Sequence, residues 1–138
     1  MNDKERLELA HAWIAHTREF RETRDSTEHG WAAEKIWDME RDEPESLWTI
    51  ILLIHSIAPE DPVVLENLSA GPVEMLLVHH GDKMIDVVEA EAGRNPSFAN
   101  LLGGVWQNRM TDEIWARVQA IQDHTGWDGD SKVHKGLH

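Results

Sequence analysis

Cysteine and tyrosine are absent from the 138 residues, and phenylalanine occurs only twice. Without cysteine there is no disulfide, no thiol nucleophile and no thiolate metal ligand, which fits a reducing compartment. Basic residues are scarce: 13 Lys and Arg stand against 26 Asp and Glu, for a formal charge of −13. The phosphate backbone repels such a polyanion, so direct nucleic-acid binding is not expected. Fast association with a protein partner that carries a basic surface is the complementary expectation.

Long apolar runs are missing too. The longest, Leu47 to Ile57, is interrupted by Thr49, His55 and Ser56. It falls short of the roughly 20 apolar residues that span a bilayer. Met1 to Glu8 is charged and lacks the apolar core of a secretory signal. A soluble, cytoplasmic protein with no membrane role is the expectation.

Period-2 alternation is nowhere evident, whereas helical spacing is. Leu9, Trp13 and Phe20, with Ala10 and Ile14, make one face of a first helix from Asp3 to about Arg21. Asp25, Ser26 and Thr27 offer caps for a second, whose stripe is Ala32, Ile36 and Met39 up to about Arg41. Asp42-Glu43-Pro44-Glu45 reads as a capping Asp followed by Pro in the first turn of a third. That helix, Pro44 to Ala58, is apolar nearly all round, which predicts a central position. Asp61-Pro62, Pro72, Asp82, Asn95-Pro96 and Thr111 open five more. Gly71, Gly81, Gly93 and Gly126 act as stops, Gly81 as a left-handed cap.

The fold class is therefore all-α: a single compact array of about eight short helices over residues 1–127, with a flexible tail over 128–138. Asp61-Pro62 and Asn95-Pro96 lie 34 residues apart, and Leu68 and Leu102 match at the same offset. Stacked helical pairs are thus a variant of the same reading.

Ala70-Gly71-Pro72-Val73-Glu74, His80-Gly81, Ile85-Asp86-Val87-Val88-Glu89, Asn95-Pro96-Ser97-Phe98 and Gly103-Gly104-Val105-Trp106 follow one another in order. Pro44-Glu45-Ser46-Leu47-Trp48 precedes them and Ile114-Trp115 follows. This pattern resembles a family of small bacterial proteins known only as a domain of unknown function, over about Trp31 to Val118. The resemblance implies a bacterial or phage source and a helical domain. It implies no activity, so it assigns no catalytic residue.

Two constellations stand out among the residues themselves. Trp37 sits beside Asp38, Asp42, Glu43 and Glu45, an aromatic among carboxylates that suits a basic protein surface. Trp13 and Trp127, near element ends or polar neighbours, are read as further exposed rings, whereas Trp31 is read as core. The second constellation is a polar site of Glu74, His80, Asp86 and Glu89, which could hold an activated water for hydrolysis. Gly81 separates His80 from Asp82, so the adjacent His-Asp pair of metal phosphohydrolases is missing, and neither metal nor cofactor is expected. Glu8 and His11 have the spacing of a di-iron ligand pair but no second copy. Ser26, Ser46, Ser56, Ser69 and Ser97 lack a nucleophile-elbow setting.

The leading expectation is a non-enzymatic acidic binding domain. Its concrete form is an inhibitor of a basic nucleic-acid-processing protein, of the immunity or anti-defence type. The rivals are a small hydrolase or ligand-binding enzyme at the polar site, and a domain that self-associates as a homodimer through surplus Trp.

Overall fold

A computed structural model describes residues 1–23 and 28–127. The caps expected at Asp25, Ser26 and Thr27, and the tail over 128–138, lie outside the described residues. The fold is all-α, with no strand among the described residues. Helix α1 runs Asp3–Thr23, α2 Gly30–Asp42, α3 Pro44–Ile57, α4 Pro62–Leu68, α5 Glu74–Arg94, α6 Pro96–Leu102 and α7 Asp112–Gln119. A π-helical turn, Ser69–Val73, joins α4 to α5.

Side-chain caps explain most of the helix starts. Asn2 accepts from the Glu5 amide at 2.8 Å while Glu5 accepts from the Asn2 amide at 2.9 Å, a reciprocal capping box. Asp61 accepts from the amides of Val63 and Val64, Asn95 from those of Ser97 and Phe98, and Thr111 from that of Ile114. The cap expected at Asp42 is different: Asp42 ends α2, and Glu43 precedes α3 without a side-chain cap bond. Pro44 at the first helical position has no amide and a φ already set for the helix. The 34-residue likeness holds through α4 and α6, seven residues each with Val64 and Leu68 buried in one and Phe98 and Leu102 in the other, and ends after them. Helix α4 runs on through the π turn, while α6 stops at Gly103.

Neither of two expected breaks is a clean stop. Pro72 has no amide to donate, and the wider π turn carries the backbone past it. At Gly81 the expected division shows as a kink where two helical segments of α5 meet. His80 takes φ −134° and ψ 28°, and no left-handed glycine occurs there. A Cβ on Gly81 would lie 3.1 Å from Ile114 Cγ1, so the missing side chain admits α7 to the bend. Residues 62–94 are consequently one bent run, and separate helices are fewer than eight. Helix α7 ends at Gln119, ahead of the expected stop at Gly126, which lies in a later turn at φ 87°.

Helix α3 packs against α1, α2, the π turn and α5, as a central helix should. Leu47, Ile50, Ile51 and Ile54 are buried, but Trp48, Leu52, Leu53 and Ile57 are only partly covered, so the wrapping is incomplete. Trp13 joins the core rather than the surface, while Phe20, at the far end of its stripe, is exposed. Trp127 is half-buried and seated on the Gly103-Gly104 turn, its Nε1 donating to the Asn100 carbonyl at 2.7 Å. A Cβ on Gly104 would meet Trp127 at 2.5 Å and Ser69 Oγ at 2.6 Å.

Fully buried Phe98 meets Trp48 edge-on at 5.4 Å. Phe98→Ala should therefore cost about 3–5 kcal/mol in urea denaturation, and Trp48→Ala less because its ring is already partly wet. Gly104→Ala should unseat Trp127 and shift its emission to the red. Unchanged emission would show that the seat is not as described.

Candidate functional site

Helix α2 buries Ala32, Ile36, Met39 and Glu40 and turns its opposite face outward. On a helix advancing about 100° per residue, Trp31 and Trp37 stand roughly 120° apart across that outer face, with Glu34, Asp38 and Arg41 between them. Trp37 is 66% exposed and Trp31 48%, the two most exposed large hydrophobic side chains among the described residues. Trp31 thus belongs to the surface, not the core. The signal was available in the sequence, because it falls one residue outside the Ala32–Ile36–Met39 stripe.

Asp38, Asp42, Glu43 and Glu45 are all exposed, and together with Trp37 they cluster at the α2–α3 junction. Their charge is partly answered within the molecule. Arg41 reaches Asp38 at 3.2 Å and Asp42 at 3.4 Å, and Lys83 reaches Glu45 at 2.8 Å. The Lys83 hydrogen bond holds the Glu45 carboxyl below its ordinary range. Four carboxylates against two cations leave the junction net negative. Glu40, on the same helix, behaves differently: it is 8% exposed, and burial pushes its carboxyl up to about 7.

The four residues of the expected polar site are each engaged elsewhere. Glu74 is buried and accepts from the Trp106 amide at 3.2 Å and from Asn108 Nδ2 at 2.8 Å. It thereby holds the 103–111 loop, in which Asn108 takes the left-handed conformation at φ 50°. His80 Nε2 donates to the Glu40 carbonyl at 2.8 Å, tying the α5 bend to α2. Asp86 and Glu89 share Arg117, the former at 2.7 Å, which fastens α7 to α5. The Arg117 guanidinium keeps the Glu89 carboxyl below its ordinary range. A depression of about 250 Å³ lies at the bend, lined in part by His79, His80, Asp82, Lys83 and Thr111. Of the four, only His80 reaches it.

Glu19, Glu28 and His29 do converge, with ligand atoms within 4.8 Å of one another and His29 Nδ1 at 2.8 Å from Glu19. Sequence reasoning passed over this group because Glu19 lies nine and ten residues before Glu28 and His29, with no ligand spacing to join them. No helix among the described residues is long and apolar enough to cross a membrane.

The family described as "Family of unknown function (DUF6869)" matches residues 19–126. The match takes in the α2 face, the α5 bend and the Gly103-Gly104 turn. No curated protein and no solved structure matches the chain.

The buried Glu40 gives a pH test. Its carboxyl is ordinary, near 4.5, when unfolded and raised when folded, so its stabilising difference is complete below 4.5 and is lost as pH rises through 7. Glu40→Gln should therefore melt higher than wild type at about pH 8, and the advantage should shrink by about pH 5. Parallel melting curves for the two proteins across that range would place Glu40 in solvent.

Proposed function

We propose that this chain, which belongs to the DUF6869 family, is a docking domain that seats the outer face of α2 on a basic protein surface. The observation that carries the reading is Trp37, 66% exposed among the exposed carboxylates Asp38, Asp42, Glu43 and Glu45. A large ring left in water on a helix whose apolar stripe is already buried has no folding role that requires its exposure. Aromatic anchors ringed by polar groups are the usual energetic centres of interfaces. Trp31 supports the reading by bracketing the same face.

The charge supports one class of partner. An acidic face in a chain of formal charge −13 is attracted to a cationic surface and repelled by nucleic acid. Proteins that process nucleic acids present cationic, phosphate-binding surfaces. Occupying one would inhibit such a protein, as immunity and anti-defence proteins do. Self-association through the two exposed Trp is the second reading, favoured by the same exposure; both partners would then carry like charge on the contact, which opposes it.

Trp37→Ala should abolish capture of the partner while leaving the melting temperature unchanged, because the ring contributes little to the core. Charge reversal at Asp38, Asp42 and Glu45 should slow association far more than reversal at Glu5 and Glu8 on α1. Arg41→Ala, which removes the internal cation, should speed it. Rates measured against salt should fall steeply, since exposed charges are screened beyond about 8 Å at physiological ionic strength. A partner retained by Trp37→Ala, or salt-insensitive association, would rule out this face. Concentration-dependent dimers lost in Trp37→Ala would favour self-association.

A further inference from the structure

We propose that Ser97 and His55 form a nucleophile and its general base, making Ser97 an acyl acceptor toward activated esters at a site separate from the α2 face. His55 lies on α3 and is 4% exposed. Its Nε2 stands 3.1 Å from Ser97 Oγ, and Ser97 itself is exposed at the start of α6. The imidazole is thus shielded from solvent, and the hydroxyl beside it can be reached. Phe98 closes one side, its ring edge-on to His55 at 5.9 Å. Two contacts set the hydroxyl's direction. The amides of Ser97 and Phe98 are satisfied by Asn95 Oδ1 at 3.1 and 3.4 Å, so the Ser97 hydroxyl is not drawn into capping and points back to α3.

Burial lowers the basicity of His55, which keeps the ring neutral and able to accept a proton near neutral pH. The Glu91 charge acts in the opposite sense and stabilises the imidazolium once it forms. Glu91 is fixed by Arg94 at 2.6 Å and by Asn95 Nδ2 at 3.2 Å. Asn95 therefore serves both ends of the arrangement, orienting Ser97 through its oxygen and Glu91 through its nitrogen.

On an aryl ester, Ser97 Oγ bonds to the carbonyl carbon as its proton passes to His55 Nε2. The leaving aryloxide takes that proton and departs as a phenol when its C–O bond breaks. Water, deprotonated by His55, then attacks the acyl carbon, and Ser97 Oγ leaves and recovers the proton as the acid is released. The amides nearest the hydroxyl already bond to Asn95, so they offer no cradle for a developing oxyanion. Amides and unactivated esters are accordingly outside the reach of this site, and aryl esters or phosphonyl fluorides are within it.

The test is labelling of the full chain with a fluorophosphonate, in which Ser97 Oγ displaces fluoride, read by peptide mass spectrometry. Modification is expected at Ser97, absent in Ser97→Ala and slowed about 100-fold or more in His55→Gln. Should His55→Gln fail to fold, the pH profile of wild-type labelling decides. The rate should fall with an apparent midpoint below the ordinary imidazole value, and Glu91→Gln should move that midpoint lower still. No labelling of the folded wild type, labelling spread over other serines, or a rate indifferent to pH would overturn the assignment.

Discussion

At His80 the backbone of the long run from Pro62 to Arg94 leaves helical geometry, and the imidazole donates to the carbonyl of Glu40 on α2. Most of the molecule is organised around that bend. Gly81 beside it leaves room for Ile114 of α7. Before the bend, Glu74 holds the 103–111 loop; beyond it, Asp86 and Glu89 hold Arg117 of α7. A straight helix could not meet α2, the loop and α7 along one length. The residues that look most like a catalytic cluster in the linear sequence are therefore the ones that make the bend fit its neighbours. Buried and half-buried polar groups such as Glu74, His80 and Glu89 are costly unless partnered, and each of these three has a partner.

The same bend bears on function. It fixes the carboxy-terminal end of α2, where Met39 is buried while Trp37, Asp38 and Asp42 face outward. A docking surface gains affinity when it is rigid before the partner arrives, because less ordering remains to be done on binding. Its acidity is also tempered: Arg41 and Lys83 hold three of the four carboxylates in set positions. The net negative charge at the junction is smaller than the sequence alone suggests. Its directional definition is greater.

Fold class was legible because helical stripes at Leu9–Trp13, Ala32–Ile36–Met39 and Ile114–Val118 are each buried as written. Asp61, Asn95 and Thr111 cap where turn chemistry demands. Pro72 and Gly81 mark a π turn and a kink rather than clean stops. Pro72 is absorbed by a change of helical pitch, and Gly81 serves a close approach by a residue 33 positions away, which no local rule can reveal. The aromatic-and-carboxylate cluster was legible from adjacency, since neighbours on one helix end stay neighbours. The proposed polar site was drawn from adjacency too, but partners such as Asn108, Glu40 and Arg117 are distant in sequence and claim its members one by one. Ser97 and His55, 42 residues apart, left no linear trace for the same reason.

The central claim is that the His80 link across the bend holds the α2 face in place. Amide hydrogen exchange in His80→Ala tests it most directly. Protection should fall at the end of α2, around Met39 to Glu43, while the amides of α6 keep theirs. Protection at Met39 to Glu43 equal to wild type would mean that α2 is held by its apolar stripe alone, and the account of the bend would be wrong.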